Sequence, residues 1–148
     1  MLRQGCRLIP FERSIPAGVQ ISAELMWRRE GWLELSYGVL ARAAKGIGVL
    51  KLPAGLKDGP QQGQRKDGLW TTTCFEAFIA APGEQRYWEV NLAANGDWAL
   101  YRFDGYRSGQ TQQELSTPPT VRLQRGLHQL RLDARIAVSY THLTLPTT

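Results

Sequence analysis

The chain of 148 residues carries 18 Lys and Arg against 13 Asp and Glu, a formal charge of +5, and is long enough for one domain with a sizeable core. Its cations, mostly Arg, are scattered from Arg3 to Arg135 with only Arg28–Arg29 and Arg65–Lys66 adjacent, so the charge is not gathered into the stripe or groove that nucleic acid requires. No run approaches the roughly twenty apolar residues of a membrane span, Met1 to Ile21 lacks the apolar centre of a signal peptide, and two cysteines, Cys6 and Cys74, make no disulfide framework; the expected partners include neither nucleic acid nor membrane, and the expected compartment is the cytoplasm, or the periplasm if the true start lies upstream.

The first clear element is a strand in which Val19, Ile21, Ala23, Leu25 and Trp27 alternate with Gln20, Ser22, Glu24, Met26 and Arg28. Arg29-Glu30-Gly31 turns the chain, and Leu33, Leu35 and Tyr37 carry the apolar face of the return strand. Ile47 to Leu52 reads as a third short strand closed by Pro53, and the Gly- and Gln-rich segment from Ala54 to Gly68 reads as an extended loop. Three runs of period two follow, Thr72–Ala80, Tyr87–Ala93 and Trp98–Phe103, punctuated by Pro82-Gly83 and Asn95-Gly96, which predicts an antiparallel meander. Ser108 to Pro119 is again a loop. Val121 and Leu123 alternate before a turn at Arg125-Gly126, and His128, Leu130 and Leu132 alternate after it. No window sustains a helical period, and eight short strands with frequent turns predict an all-β antiparallel sandwich.

From Val138 the text changes abruptly to VSYTHLTLPTT, without Gly or a charged side chain. Back-translated, this segment matches the read-through of a transposase sequencing adapter. The expectation is one domain over residues 1–137, lacking its C-terminal strands, followed by a non-native tail over 138–148.

The central segment also carries a resemblance. Asp67-Gly68-Leu69-Trp70, Cys74-Phe75-Glu76, Tyr87-Trp88-Glu89-Val90-Asn91 and Tyr101-Arg102-Phe103 together resemble the DOMON-like proteins of bacteria, relatives of the family 9 carbohydrate-binding modules. The resemblance covers about Arg7 to Ala137 and is concentrated between Lys66 and Arg107. It implies an immunoglobulin-like β-sandwich, a ligand-binding role in a superfamily whose members bind sugars or haem, and further strands after Ala137. It also implies that Trp70, Glu76 and Glu89 belong to, or support, the ligand site.

The residue types fit such a site. A pyranose offers apolar C–H groups to an aromatic face and hydroxyls to carboxylates or amides. Trp70 precedes the first strand of the meander, while Glu76, Glu89 and Asn91 are expected on one face, with Glu76 opposite Glu89 in a suitable register and Arg102 as a neighbouring cation. The expected function is therefore non-catalytic binding of a carbohydrate or related small polar ligand. Trp88, Trp98, Phe75 and Phe78 are expected in the core. The competing reading is a structural or interaction sandwich in which Arg65, Arg86 or Arg102 pairs with Glu76 and Glu89. A retaining glycosidase would need the two carboxylates about 5–5.5 Å apart, and no further acid, base or nucleophile supports one. Haem would need axial ligands, for which only His128 and Met26 are available and neither lies in a ligand motif. No spacing of His, Cys or carboxylates suggests a metal. No cofactor is expected.

Overall fold

The computed structural model describes residues 1–10 and 18–138. Among them, ten strands form two antiparallel sheets packed face to face. The larger sheet has six strands in the order β1 (Leu2–Leu8), β2 (Val19–Arg28), β3 (Trp32–Ala41), β10 (Gln129–Ala137), β9 (Thr120–Arg125) and β4 (Gly59–Gln61). The smaller has four, β5 (Cys74–Ala80), β6 (Tyr87–Ala93), β7 (Trp98–Phe103) and β8 (Thr111–Gln112). Among the described residues no helix is long and apolar enough to cross a membrane.

The alternation in the sequence is the cause of the layering, because successive side chains of a strand point to opposite faces. Leu33, Leu35, Tyr37, Val39 and Ala41 of β3 are buried, as are Val121 and Leu123 of β9 and Leu130, Leu132, Ala134 and Ile136 of β10. Val138 continues that parity and is buried too, its amide donating to the Gly31 carbonyl at 2.8 Å; the rest of the expected tail lies outside the described residues. From the smaller sheet Phe75, Trp88, Val90, Leu92, Trp98 and Leu100 close the core. Burying one Leu of this kind, such as Leu33, Leu123 or Leu132, stabilises by about 1.5–3 kcal/mol. Tyr37 joins the sheets directly: its ring lies 5.3 Å from that of Phe75, and its hydroxyl donates to the Glu76 carbonyl at 2.8 Å. Burial pushes the Tyr37 hydroxyl pKa up, so it stays a neutral donor.

Four expectations need correction. Ile47–Leu52 is not a strand but begins with a 3-10 turn over Gly46–Val49, because Gly46 takes φ +52 and its Cα faces the Leu127 carbonyl too closely for any side chain. Leu2–Leu8 is a strand that its weak alternation hides; it lies at the sheet edge, exposed throughout, where no face has to be apolar. Short strands β4 and β8 interrupt the two predicted loops, since pairing through the backbone requires no side-chain pattern. His128 precedes β10, with Nδ1 2.8 Å from the Ala41 carbonyl.

The edge of β7 is covered by two neighbours. β8 pairs with Tyr101 and Arg102, while the segment after β4 runs alongside Trp98: the Trp98 amide donates to the Gln64 carbonyl at 3.2 Å and the Lys66 amide to the Trp98 carbonyl at 2.9 Å. Gly63 makes this passage possible. A Cβ there would stand about 2 Å from the backbone of Gly96 and Asp97 in the β6–β7 turn, the nearest approach being 1.9 Å.

Candidate ligand-binding groove

The outer face of the smaller sheet is built by Glu76, Phe78 and Ala80 of β5, Tyr87, Glu89 and Asn91 of β6, and Ala99, Tyr101 and Phe103 of β7. Both faces of β7 are covered: Ala99, Tyr101 and Phe103 are buried on the outside, just as Trp98 and Leu100 are on the inside. The strand pairs set the rows across this face. Glu76 lies opposite Asn91, which lies opposite Ala99; Phe78, Glu89 and Tyr101 form the next row; Ala80, Tyr87 and Phe103 form the last.

An open groove of about 950 Å³ occupies the Ala80 end of this face. Tyr87 and Phe103 form its aromatic base, their rings stacked at 4.8 Å with planes 7° apart. Phe78 is 62% exposed and sits 6.4 Å from the Tyr87 ring, which corrects the expectation that it belongs to the core; its parity is that of Glu76, facing outward. Tyr106, 81% exposed, and Arg107 come from the turn after β7, while Glu84 and Gln85 come from the turn before β6. Arg107 adopts φ +53, a left-handed conformation that costs a side-chain-bearing residue about 1–2 kcal/mol. Its amide donates to the Tyr87 hydroxyl at 3.1 Å and its guanidinium lies 5.2 Å from the Tyr106 ring.

Glu89 lines the groove, half-buried, without an ion-pair partner among the described residues. Burial, and then the neighbouring charge of Glu76, raise its pKa, against a hydrogen bond from Asn91 that lowers it. Asn91 is itself buried, and with its amide turned to satisfy its surroundings it donates to Glu89 Oε1 at 3.3 Å and to the Val90 carbonyl at 3.1 Å. Beside them Tyr101 donates to Asp67, whose carboxylate also pairs with Arg65 at 2.9 Å, and the Arg65 guanidinium lies 5.4 Å from the Tyr101 ring. Burial first, and then the bond to Asp67, push the Tyr101 hydroxyl up to about 12. Cys74, at the other end of β5, is pushed up to about 12 by burial and by Glu76, which keeps it a thiol and a poor nucleophile.

Glu76, Glu89 and Asn91 therefore share a face, as the alternation predicts. Glu76 is not opposite Glu89, however; the register offsets them by one pair, a diagonal of about 7–8 Å between Cα atoms. Arg102 is on the other face, opposite Trp88, with its guanidinium 3.8 Å from Asp104. The expected pairing of Glu76 and Glu89 with Arg65, Arg86 or Arg102 is not formed among the described residues: Arg65 pairs with Asp67, Arg102 with Asp104, and Arg86 with neither carboxylate. Trp70 is 60% exposed in a 3-10 turn, Leu69–Thr71, just before β5. It does not line the groove, which surrounds the far end of a strand roughly 20 Å long at the rise of an extended chain.

The groove residues that the sequence reading passed over, Phe78, Tyr87, Phe103, Tyr106 and Arg107, had one available signal. Tyr87 and Phe103 share their strands' parity with Glu89 and Tyr101, so a second apolar face could be read beside the core face. No protein-family model, curated protein sequence or solved structure matches this chain.

Proposed function

We propose that the protein is a non-catalytic module that binds a carbohydrate or related small polar ligand in the groove on the outer face of the four-stranded sheet. The observation that carries this reading is the union of an aromatic base and an exposed aromatic wall with a half-buried carboxylate that lacks an ion-pair partner among the described residues. Aromatic surface covers the apolar C–H face of a sugar ring while carboxylate and amide oxygens accept from its hydroxyls. Folding does not require Phe78 and Tyr106 to be so exposed, nor Glu89 to lack an ion-pair partner among the described residues, whereas ligand binding uses both. The resemblance to DOMON-like proteins, which implies Glu76 and Glu89, extends the site toward Glu76, while the Trp70 it also implies lies away from the groove.

The test is a glycan array followed by titration calorimetry on the best ligand. Phe78→Ala, at an exposed position, is expected to weaken binding at least tenfold, about 1.4 kcal/mol, while Trp70→Ala leaves it within threefold. An array with no bound glycan, or binding that survives Phe78→Ala, refutes the proposal.

A further inference from the structure

We infer that the ligand of this groove carries an ammonium group, and that the sugar class it takes is an amino sugar. The inference rests on the reading of the groove as a sugar site. Two carboxylates, Glu84 and Glu89, line the groove against one guanidinium, Arg107, and Glu76 stands one row from Glu89 on the same face. None of the three carboxylates has an ion-pair partner among the described residues. Glu89 instead receives a hydrogen bond from the neutral amide of Asn91. A neutral sugar would compensate that charge only through hydroxyl donors, whereas an ammonium supplies both the missing positive charge and three donors.

The aromatic lining points the same way. The negative face of an aromatic ring attracts a cation within about 6 Å, and several rings together with a carboxylate form a cage suited to ammonium. Phe78 stands opposite Glu89, and the stacked Tyr87 and Phe103 rings form the next row on the same face of the groove. On the other side the Arg107 guanidinium already lies over the Tyr106 ring, so one cation of the protein occupies that wall and the Phe78–Tyr87–Glu89 corner is left for a cation from the ligand.

Three tetrasaccharides of one backbone geometry test this at fixed pH 6: a β-1,4 glucosamine tetramer, its fully N-acetylated counterpart and cellotetraose, each titrated into the whole chain. The expected result is that the free amine binds at least tenfold more tightly than either neutral tetramer, that the difference shrinks as salt is raised, and that Glu89→Gln reduces it to threefold or less. Glu84→Gln, in an exposed turn, is a second variant expected to reduce the preference if Glu89→Gln does not fold. Neutral tetramers that bind as tightly as the amine, or a preference unchanged in the folded carboxamide variant, overturn the inference and leave the sugar site standing. Failure of all three to bind overturns the inference together with the reading beneath it.

Discussion

Glu89 occupies a position that folding alone disfavours. Burial and Glu76 on β5 both act against its charge, and Asn91 opposes them only partly, while Tyr101 on β7, its opposite neighbour, is a neutral phenol with its proton committed to Asp67. A carboxyl whose pKa is higher in the folded state holds its proton there when the unfolded chain has already lost it. Its contribution to stability is therefore full at low pH and is lost as pH rises through the ordinary carboxylate range and then the raised folded value. Glu89→Gln is accordingly expected to raise Tm at pH 7 and to leave it nearly unchanged at about pH 3, where both states are protonated; calorimetric melts at the two values check it, and a lower Tm at pH 7 would contradict it. Period two was enough to place Glu76, Glu89 and Asn91 on one side of their strands. It was not enough to say which residues stand opposite, because register depends on how many residues the turn after Ala80 consumes, and a two-residue shift, which keeps every face, decides whether Glu76 meets Glu89 or Asn91. The same limit hid the position of Arg102: its parity with Trp98 and Leu100 was legible, but only the pairing with Trp88 shows that this side is the inner one.

The most readable elements are those with one dry and one wetter face, as β3, β9 and β10 show in their alternating residues. The β6–β7 hairpin was readable from its period two and its Asn95-Gly96 turn, although β7 is covered on both faces. β4, β8 and the passage from Gly63 to Asp67 have no such pattern, since backbone hydrogen bonds position them, to β9 for β4 and along β7 for β8 and the passage. Gly63 is where this passage is most sensitive. Gly63→Ala would place a methyl group within about 2 Å of the Gly96 carbonyl, where only backbone can yield, and a cost of at least about 2 kcal/mol is expected, in the range of forced overpacking. Urea unfolding measures the loss. The displaced passage would also release Arg65 and Asp67 from Tyr101, and faster amide exchange at Lys66 and Trp98 than in the parent would report that release. An unchanged unfolding midpoint would show that the β6–β7 turn can move aside.

At the scale of the whole molecule, the two sheets are joined unevenly. Chain passes between them beside β7 and β8, but among the described residues β5 is an edge strand paired only with β6. Its Cys74 end is held from outside the sheet by the Thr73 amide and hydroxyl against Lys51, both at 2.9 Å, and by the Tyr37 hydroxyl on the Glu76 carbonyl. Among the described residues no hydrogen bond reaches Phe78 to Ala80 except through β6. Restraint therefore falls along a single strand, from a root clamped from outside the sheet to a tip held by its pairing with β6 and by Ile79 against the core, and that tip is a wall of the groove. Amide exchange in the unliganded protein is expected to quicken from Phe75 toward Ala80, through local opening that leaves the core intact; uniform exchange along the strand would refute the gradient. A wall that opened along such a gradient would give the groove an adjustable width, and ligands of different girth would then be distinguished less by whether they enter than by how long the tip of β5 stays closed over them.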